Sequence, residues 1–290
     1  KGGTMPSRIV HPYTGLTGGA WLRGNLHTHT RQSDGSRPPQ AVIDDYATRG
    51  YGFLMLSDHD VFTSDATLAQ WDSRGMVLIP GNEIAGGPHL LHVDAERHVA
   101  QRESRQEILN DILAAARESG RGFAIINHPN WGAQFNHAGI AQLREWTGYA
   151  GLEIYNGVIA FLDGSPYATD KWDILLNEAR RVWGFANDDA HRPEHVAWGW
   201  NVAYVTERTR AGVVSLLVGP ASGSRRQRDQ GGAASGFFIT PDGYLLSNSH
   251  VVTGGQPTSL QVQFEDDTRL PARVVGIDPE TDLALVHVGA

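Results

Sequence analysis

The chain has 290 residues, of which 40% are hydrophobic and none is cysteine, and its formal net charge is −8. The length allows one large domain or two, and the lack of cysteine excludes disulfides and thiolate metal sites. The negative charge argues against a protein that grips nucleic acid, and no apolar run reaches the roughly 18 residues that a membrane helix needs. Neither localisation nor oligomeric state can be predicted from these properties.

Strands and helices alternate from about residue 20 to residue 206. The clearest helix is amphipathic, with Ile108, Ile112 and Leu113 on one face and Gly120 as its stop. The pattern predicts helices at 40–49, 65–73, 103–118, 140–146 and 171–181. It predicts strands at 52–56, 76–79, 90–93, 123–126, 152–155 and 183–186. This alternation implies parallel βαβ units, and six or seven such units favour a barrel over an open sheet.

The sequence pattern changes after about residue 207. Residues 221–232 are rich in Gly, Ser and Arg and predict a flexible loop. Short alternating runs predict an antiparallel, all-β part with strands at 211–218, 236–240, 244–247, 260–264, 272–277 and 283–288. We therefore expect two domains, 1–206 and 207–290. The abrupt change between them suggests a composite or truncated reading frame.

Histidines and carboxylates follow five apolar runs of the first part. His27 and His29 are spaced i, i+2, which places both rings on one face of a strand, and Asp189 and His191 repeat this spacing. Active sites of parallel α/β folds lie at the C-terminal ends of strands, so we expect these side chains to converge. The candidates are His27, His29, Asp34, His59, Glu83, His128, Asp189 and His191.

Imidazoles and carboxylates together are typical ligands of divalent metals, and Zn, Mn and Fe suit them alike. Glu83 ends an apolar run, and its two carboxylate oxygens could each bind a different ion. Eight or nine ligands are too many for one tetrahedral ion. They suit two or three ions with positions left open for water and substrate.

The motifs resemble those of the polymerase-and-histidinol-phosphatase (PHP) family of metal-dependent phosphoesterases. Residues 21–34 are similar to that family's first motif. The other motifs follow in the family's order: Ser57-Asp58-His59, Gly81-Asn82-Glu83, Asn127-His128-Pro129 and Asp189-Ala190-His191. The resemblance covers about residues 18–206 and implies an α/β fold, a distorted (β/α)7 barrel that holds up to three ions.

The resemblance also implies how the ligands are shared. The three implied sets are His27, His29, Glu83 and Asp189; Glu83, His128 and one further histidine; and Asp34, His59 and His191. The further histidine is His89 or His92, and the family pattern of a histidine just before a short apolar strand favours His89.

The function that follows is hydrolysis of a small-molecule phosphoester, with a metal-bridging hydroxide as nucleophile. Amide or carbamate hydrolysis at the same metal site is an alternative, and a metal-binding module without turnover is another. Further candidates near the ligand motifs are Arg31, Arg192 and His195 for phosphate; Asp58 and Asp188 for orienting ligands; Trp131 for the pocket wall; and Glu153 and Asn156 for substrate. For the arginines and His195, a solvated surface position is the simpler interpretation.

Residues 236–252 and 276–286 resemble the start of HtrA-like serine proteases of the trypsin fold. The resemblance covers about 207–290 and implies a partial all-β, trypsin-like barrel, the first of that family's two. On the family's pattern His250 is the general base and Asp282 its orienting carboxylate. No Gly-x-Ser-Gly nucleophile segment follows Asp282. We therefore expect this part to be a proteolytically inactive remnant.

Overall fold

The structure is a computed structural model that describes residues 18–217, 236–238, 244–248, 260–263, 269–278 and 283–288. The chain divides into two compact units, residues 18–223 and residues 1–17 with 224–290. The helices of the first unit are α1 (Pro39–Thr48), α2 (Asp65–Leu68), α3 (Arg105–Ser119), α4 (Ile140–Glu145), α5 (Thr169–Asn177) and α6 (Arg210–Leu217). Its strands are β1 (Ala20–Asn25), β2 (Phe53–Met55), β3 (Val77–Ile79), β4 (Gly81–Ile84), β5 (Leu90–Val93), β6 (Phe123–Ile126), β7 (Gly151–Asn156), β8 (Trp183–Asn187) and β9 (Asn201–Val205).

These strands form two sheets, with the orders β3-β2-β1-β9 and β4-β5-β6-β7-β8. Strands β1, β2 and β3 are parallel, and so are β6, β7 and β8, because helices connect them as crossovers. The expectation of parallel units throughout is wrong at β5, which runs antiparallel to both of its neighbours, and at β9, which is antiparallel to β1. Residues 85–89, between β4 and β5, are too few for a parallel crossover.

Isolated β-bridges connect the segment after β1 with the segment after β8, and the segment after β2 with strand β4. Thr28 pairs with Ala190, and His59 pairs with Glu83. Both bridges lie where strands end and candidate ligands begin. The mixed α/β class is confirmed. The closed (β/α)7 barrel stays a prediction.

The local sequence determines where helix α3, which packs against the second sheet, begins and ends. Ser104 and Glu107 form a capping box at its start, and Gly120 ends it in the left-handed conformation at φ 73°. Ile108 and Ile112 are fully buried against the second sheet, as their spacing predicts. Burial of each such side chain stabilises the fold by about 1.5–3 kcal/mol.

Residues 211–218 were expected to form a strand, and this prediction is wrong. They belong largely to helix α6, whose Val213 is buried in a core cluster with Leu22 and Val205. The backbone N–H of Gly212 donates to Oγ1 of Thr209, which caps the first turn. A short apolar run cannot be assigned to helix or strand by periodicity alone.

The second unit contains the strands β10 (Gly236–Phe238), β11 (Tyr244–Asn248), β12 (Gln261–Gln263), β13 (Arg269–Asp278) and β14 (Leu283–Val288). They form one antiparallel sheet in the order β10-β11-β14-β13-β12, around a small core that includes Leu245 and Val286. The antiparallel pattern is therefore confirmed for these strands. His250, Asp282 and the predicted loop 221–232 lie outside the described residues. No helix in the described ranges is long and apolar enough to cross a bilayer.

Candidate metal centre

All nine side chains that the sequence singled out, with His89 as the ninth, lie in groups whose ligand atoms are within 4.8 Å of one another. The groups are His29, Asp34, His59 and His191; His27, His29 and Glu83; His27, His128 and Asp189; His59, Glu83 and His89; and His89, His128 and His137. They are delivered by the segments that follow β1, β2, β6 and β8, together with β4 and the approach to β5. The strand ends therefore converge as expected, and the groups share residues and form one cluster.

Glu83 stands between two sets of imidazoles. Its Oε2 lies 3.2 Å from Nε2 of His27, 3.3 Å from Nε2 of His29 and 2.9 Å from Nδ1 of His59. Its Oε1 lies 3.1 Å from Nδ1 of His89 and 3.3 Å from Nε2 of His128. The side chain is fully buried. These distances show that each carboxylate oxygen faces a different group of nitrogens. This is the arrangement that a carboxylate bridging two cations needs.

Asp189 completes the buried part of the cluster. Its Oδ1 lies 3.2 Å from Nε2 of His27 and 3.0 Å from Nε2 of His29, and its Oδ2 faces Nε2 of His128 at 3.8 Å. Asp34 forms the open end, because its side chain is 54% exposed while its Oδ2 lies 3.3 Å from Nε2 of His191 and 3.6 Å from Nε2 of His59. One end of the cluster is thus dry and the other is accessible from solvent.

The donor set fits divalent cations. Six buried atoms of these side chains form no hydrogen bond with another described residue: His27 Nε2, His29 Nε2, His59 Nδ1, Glu83 Oε2, His128 Nδ1 and Asp189 Oδ1. Unpaired buried polar atoms are rare in folded proteins and need an explanation such as a bound ion. Here all but His128 Nδ1 face the shared centre, with imidazole lone pairs and carboxylate oxygens at close range, which a cation would satisfy.

The charges of the cluster shift the pKa values of its imidazoles and carboxylates in opposite directions. Although burial opposes it, the carboxylates of Asp189 and Glu83 raise the pKa of His27 well above its usual value. Burial likewise opposes ionisation of Glu83, but His27 and the other imidazoles hold the pKa of its carboxyl well below the usual range. Cations in place of protons would relieve the same concentration of negative charge.

Glu153 orients His27 from behind. Its Oε1 accepts a hydrogen bond of 2.7 Å from Nδ1 of His27, and both side chains are fully inaccessible. This bond places the proton on Nδ1 and leaves the Nε2 lone pair directed at Glu83 and Asp189. Asn187 donates to the same oxygen at 2.9 Å. The sequence predicts that Glu153 faces substrate, whereas in the structure Glu153 contacts the ligand candidate His27.

Two ligand candidates have strained backbones. His128 has φ of 27° and Asp189 has φ of 54°, in a region that residues other than glycine rarely adopt. The backbone N–H of His128 donates to Oε2 of Glu153 at 2.9 Å, and the backbone N–H of Asp189 donates to the carbonyl of His27 at 2.9 Å. Strain of this kind is held by surrounding structure and clusters at functional sites.

His89 and His92 lie in different surroundings, since His89 precedes β5 and His92 lies within it. Nδ1 of His89 reaches Glu83, whereas His92 is paired within the sheet between Asn82 and Ala124 and belongs to none of the ligand groups. Burial lowers the pKa of His92 to about 4. Location in the fold thus separates two histidines that the sequence could only rank.

His137 is a residue that sequence reasoning missed. It lies on the loop after β6, and its Nε2 accepts a hydrogen bond of 3.0 Å from the backbone N–H of His89. Its ring centroid is 4.9 Å from those of His89 and His128 and 4.8 Å from that of Trp131. No strand or spacing marks this position, because the loop's fold alone brings it to the cluster.

Lys171 of helix α5 holds that loop in place. Its Nζ donates to the carbonyls of Pro129, Phe135 and Ala138 at 2.8, 2.8 and 2.9 Å. The side chain is buried, and burial lowers its pKa to about 8. The same loop carries Trp131, which packs against His128 with ring centroids 5.2 Å apart, so the predicted wall residue does border the cluster.

The two aspartates beside ligand candidates differ in what they bind. Asp58 accepts from the backbone N–H groups of Thr30 and Ser33 and so fixes the turn between His29 and Asp34. Asp188 faces away from the cluster and binds backbone N–H groups at 197–199 and the hydroxyl of Tyr46.

The candidate phosphate-binding side chains lie at the surface or beside the cluster. Arg31 donates from Nε to the carbonyl of Ser36, and Arg192 is exposed. His195 accepts at Nδ1 from the backbone N–H of His191, at 3.4 Å. Asn156 donates to both Glu153 and Asp189, at 2.9 and 3.2 Å, so it supports the cluster from within.

Comparison with solved structures identifies a similar fold. A crystal structure of a two-domain protein containing a predicted PHP-like metal-dependent phosphoesterase from Bacteroides vulgatus matches with a TM-score of 0.55 at 16% identity. The match covers 100% of this chain and 92% of that one. Similarity at this identity shows a shared fold, which agrees with the resemblance that the motifs carry.

The second unit has relatives in sequence. Residues 234–290 match the family model of the trypsin-like peptidase domain. Probable periplasmic serine endoproteases of the DegP-like type from Bartonella henselae and Rhizobium meliloti are each 50% identical, over 54 and 66 residues. These stretches cover 19% and 23% of this chain but only 10% and 12% of the relatives. The resemblance to HtrA-like, trypsin-fold proteases is thus confirmed for this segment.

Proposed function

We propose that residues 18–206 form a metal-dependent hydrolase, and that its reaction is hydrolysis of a small-molecule phosphoester. The observation that carries this proposal is the two-sided contact of Glu83 with five imidazoles, in a cluster where several buried ligand atoms form no hydrogen bond with another described residue. The fold shared with a PHP-like protein supports the same class. We propose that the two sheets are the halves of one distorted barrel.

The proposed ligands divide into three sets, for two or three divalent ions of Zn, Mn or Fe. They are His27, His29, Glu83 and Asp189; Glu83, His89 and His128; and Asp34, His59 and His191. Ions held by these residues would supply a hydroxide nucleophile near neutral pH and would offset charge on the phosphoryl group. The openness of the Asp34 end favours substrate entry there.

The chain's own residues contribute orientation and exclusion of water. Glu153 holds His27 in the tautomer that presents Nε2, and Nδ1 of His191 donates to the carbonyl of Asp189 at 2.8 Å, which turns its Nε2 towards Asp34. Trp131 packs against His89 and His128, with ring centroids 5.6 and 5.2 Å from its own, and borders that side of the cluster. Positioning of this kind is the protein's main contribution to metal-assisted hydrolysis.

Amide or carbamate hydrolysis is the rival reaction, since the same nucleophile attacks carbonyls. The test is turnover of a generic phosphomonoester, a phosphodiester and an aryl carbamate by protein stripped of metal and then reloaded with manganese or zinc. Metal-dependent turnover of a phosphoester supports the proposal. Turnover of the carbamate alone selects the rival, and bound ions without any turnover select a metal-binding module.

We infer that residues 207–290 contribute no protease activity in this chain. The relatives of this segment are probable serine endoproteases, and the resemblance to that family implies His250 as general base and Asp282 as its carboxylate. No Gly-x-Ser-Gly segment follows Asp282 in these 290 residues, and acyl transfer needs the nucleophile.

A further inference from the structure

Two exposed aromatic side chains are grouped near His195, which accepts a hydrogen bond from the backbone of the ligand candidate His191. Phe161 and Trp198 are 52% and 48% exposed, with ring centroids 5.2 Å apart in edge-to-face geometry. Phe161 also stacks on His195 at 5.2 Å, with the ring planes only 19° apart. Single exposed apolar residues are ordinary, but grouped aromatic rings on a surface mark binding sites.

The group is joined to the metal centre through the segment after β8. His195 accepts at Nδ1 from the backbone N–H of His191, whose ring faces Asp34. Phe161 ends a 3-10 helix at Val158–Phe161 that begins next to Asn156, and Asn156 donates to Asp189. The segment that carries Trp198 therefore follows the ligand candidates Asp189 and His191, and the segment that carries Phe161 follows Asn156, which contacts Asp189.

Trp198 is fixed by the residue that precedes a ligand candidate. Its backbone N–H donates to Oδ1 of Asp188 at 2.7 Å, and the N–H groups of Ala197 and Gly199 donate to the same carboxylate at 3.0 and 2.7 Å. Its indole Nε1 donates to the carbonyl of Glu194 at 2.9 Å. A ring held from both sides loses little freedom on binding, which favours a preformed site.

Gly157 allows the segment that carries Phe161 to pack closely against Trp198 and the backbone of Asp188. A Cβ at this position would lie 2.8 Å from Cβ of Trp198 and 3.0 Å from the carbonyl oxygen of Asp188. The backbone N–H of Val158 donates to that oxygen at 2.9 Å. Close packing of the two segments thus brings Phe161 against Trp198 while both rings stay exposed.

We propose that Phe161, His195 and Trp198 form a subsite that binds a planar apolar group of the substrate. The ring of an aryl phosphoester would stack there, while its phosphoryl group lies at the Asp34 end of the cluster. This inference rests on the proposed function and narrows its substrate class to aryl esters. Aromatic contacts of this kind change affinity by about 3- to 10-fold each.

The test compares phenyl phosphate with 2-naphthyl phosphate, whose leaving groups have similar acidity but different stacking area. In metal-loaded protein, Phe161→Ala and Trp198→Ala are expected to raise KM for the naphthyl ester about 10-fold, and KM for the phenyl ester less, with kcat nearly unchanged. Trp198→Phe should restore most of the loss. Trp183→Ala, a half-exposed tryptophan at the start of β8, is the matched control and should change neither KM.

Equal changes in KM for both esters, or none, would overturn the subsite while leaving phosphoesterase activity intact. If no ester is turned over, the proposed function fails, and calorimetric binding of 2-naphthylphosphonate still tests the subsite. Affinity about 10-fold weaker in Phe161→Ala supports it, and unchanged affinity or no binding by the parent protein contradicts it. Self-association that Trp198→Ala abolishes, with KM unaltered, would reassign the rings to an interface between copies.

Discussion

The carboxylate of Glu153 accepts a 2.7 Å hydrogen bond from Nδ1 of His27, and neither side chain is reached by solvent. We expect Glu153→Gln to weaken metal binding about 10- to 100-fold. The variant loses the negative charge beside His27, and its amide NH2 would face donors that the carboxylate now accepts from. Titration of stripped protein with zinc against a competing chelator measures this. Glu145→Gln, on the exposed end of α4, is the control. Equal zinc affinity in both variants would show that Glu153 does not support metal binding.

His59→Ala should lower the metal content by about one ion per chain without unfolding the protein. His59 lies near Asp34, His29 and His191 and is partly exposed, so its removal opens one set of ligands and leaves the buried core unchanged. Elemental analysis with a far-UV spectrum is the measurement. His98→Ala removes an exposed histidine as a control. Unchanged stoichiometry would exclude His59 as a ligand.

Lys171→Met should destabilise the protein by about 3 kcal/mol, since the hydrogen bonds to three loop carbonyls are lost while the apolar stem is kept. It should also increase hydrogen exchange at 129–138, because that loop is then held less firmly. Urea unfolding and exchange of the backbone amides measure the two effects. Asn177→Ala, exposed at the end of α5, should show neither. A stable variant with an unchanged loop would contradict the clamp.

Acid should destabilise the protein partly through His92. Burial lowers its pKa to about 4 in the folded state, below the unfolded value of about 6.5. The unfolded chain therefore takes up the proton first, and the free energy of unfolding falls as pH drops from about 6.5 to about 4, by about 3 kcal/mol. His92→Leu should reduce this slope. Parallel pH profiles of parent and variant would show that another group is responsible.

A fluorophosphonate probe for active serine hydrolases should not label these 290 residues. The segment that resembles trypsin-like peptidases contains His250 and Asp282, but the sequence offers no Gly-x-Ser-Gly nucleophile after them. Gel fluorescence after labelling is sufficient, with a DegP-like protease as the positive control. Labelling that a serine substitution removes would overturn the inactive assignment.

Much of the candidate centre could be predicted because its residues follow apolar runs. His59, Glu83 and His128 each come at or just after a buried strand, so local sequence already indicates a shared edge. Position along the chain could not reveal His137 or Lys171, whose roles depend on contacts of the 129–138 loop with β5 and α5.

The fold was predictable to a similar degree. Strands β5, β6 and β14 have the predicted bounds, since strongly apolar runs between turn residues leave few alternatives. The direction of β5 and the helical state of 210–217 were missed. Both depend on connection length and tertiary packing, which override local preference.

The central claim is that this His and carboxylate cluster binds two or three divalent ions that support hydrolysis. The most direct measurement is elemental analysis of the purified chain after dialysis, combined with manganese-dependent turnover of a phosphomonoester. We expect two to three ions per chain, and we expect turnover that is lost on chelation and restored by added manganese. A chain that retains no ions when reloaded would contradict it.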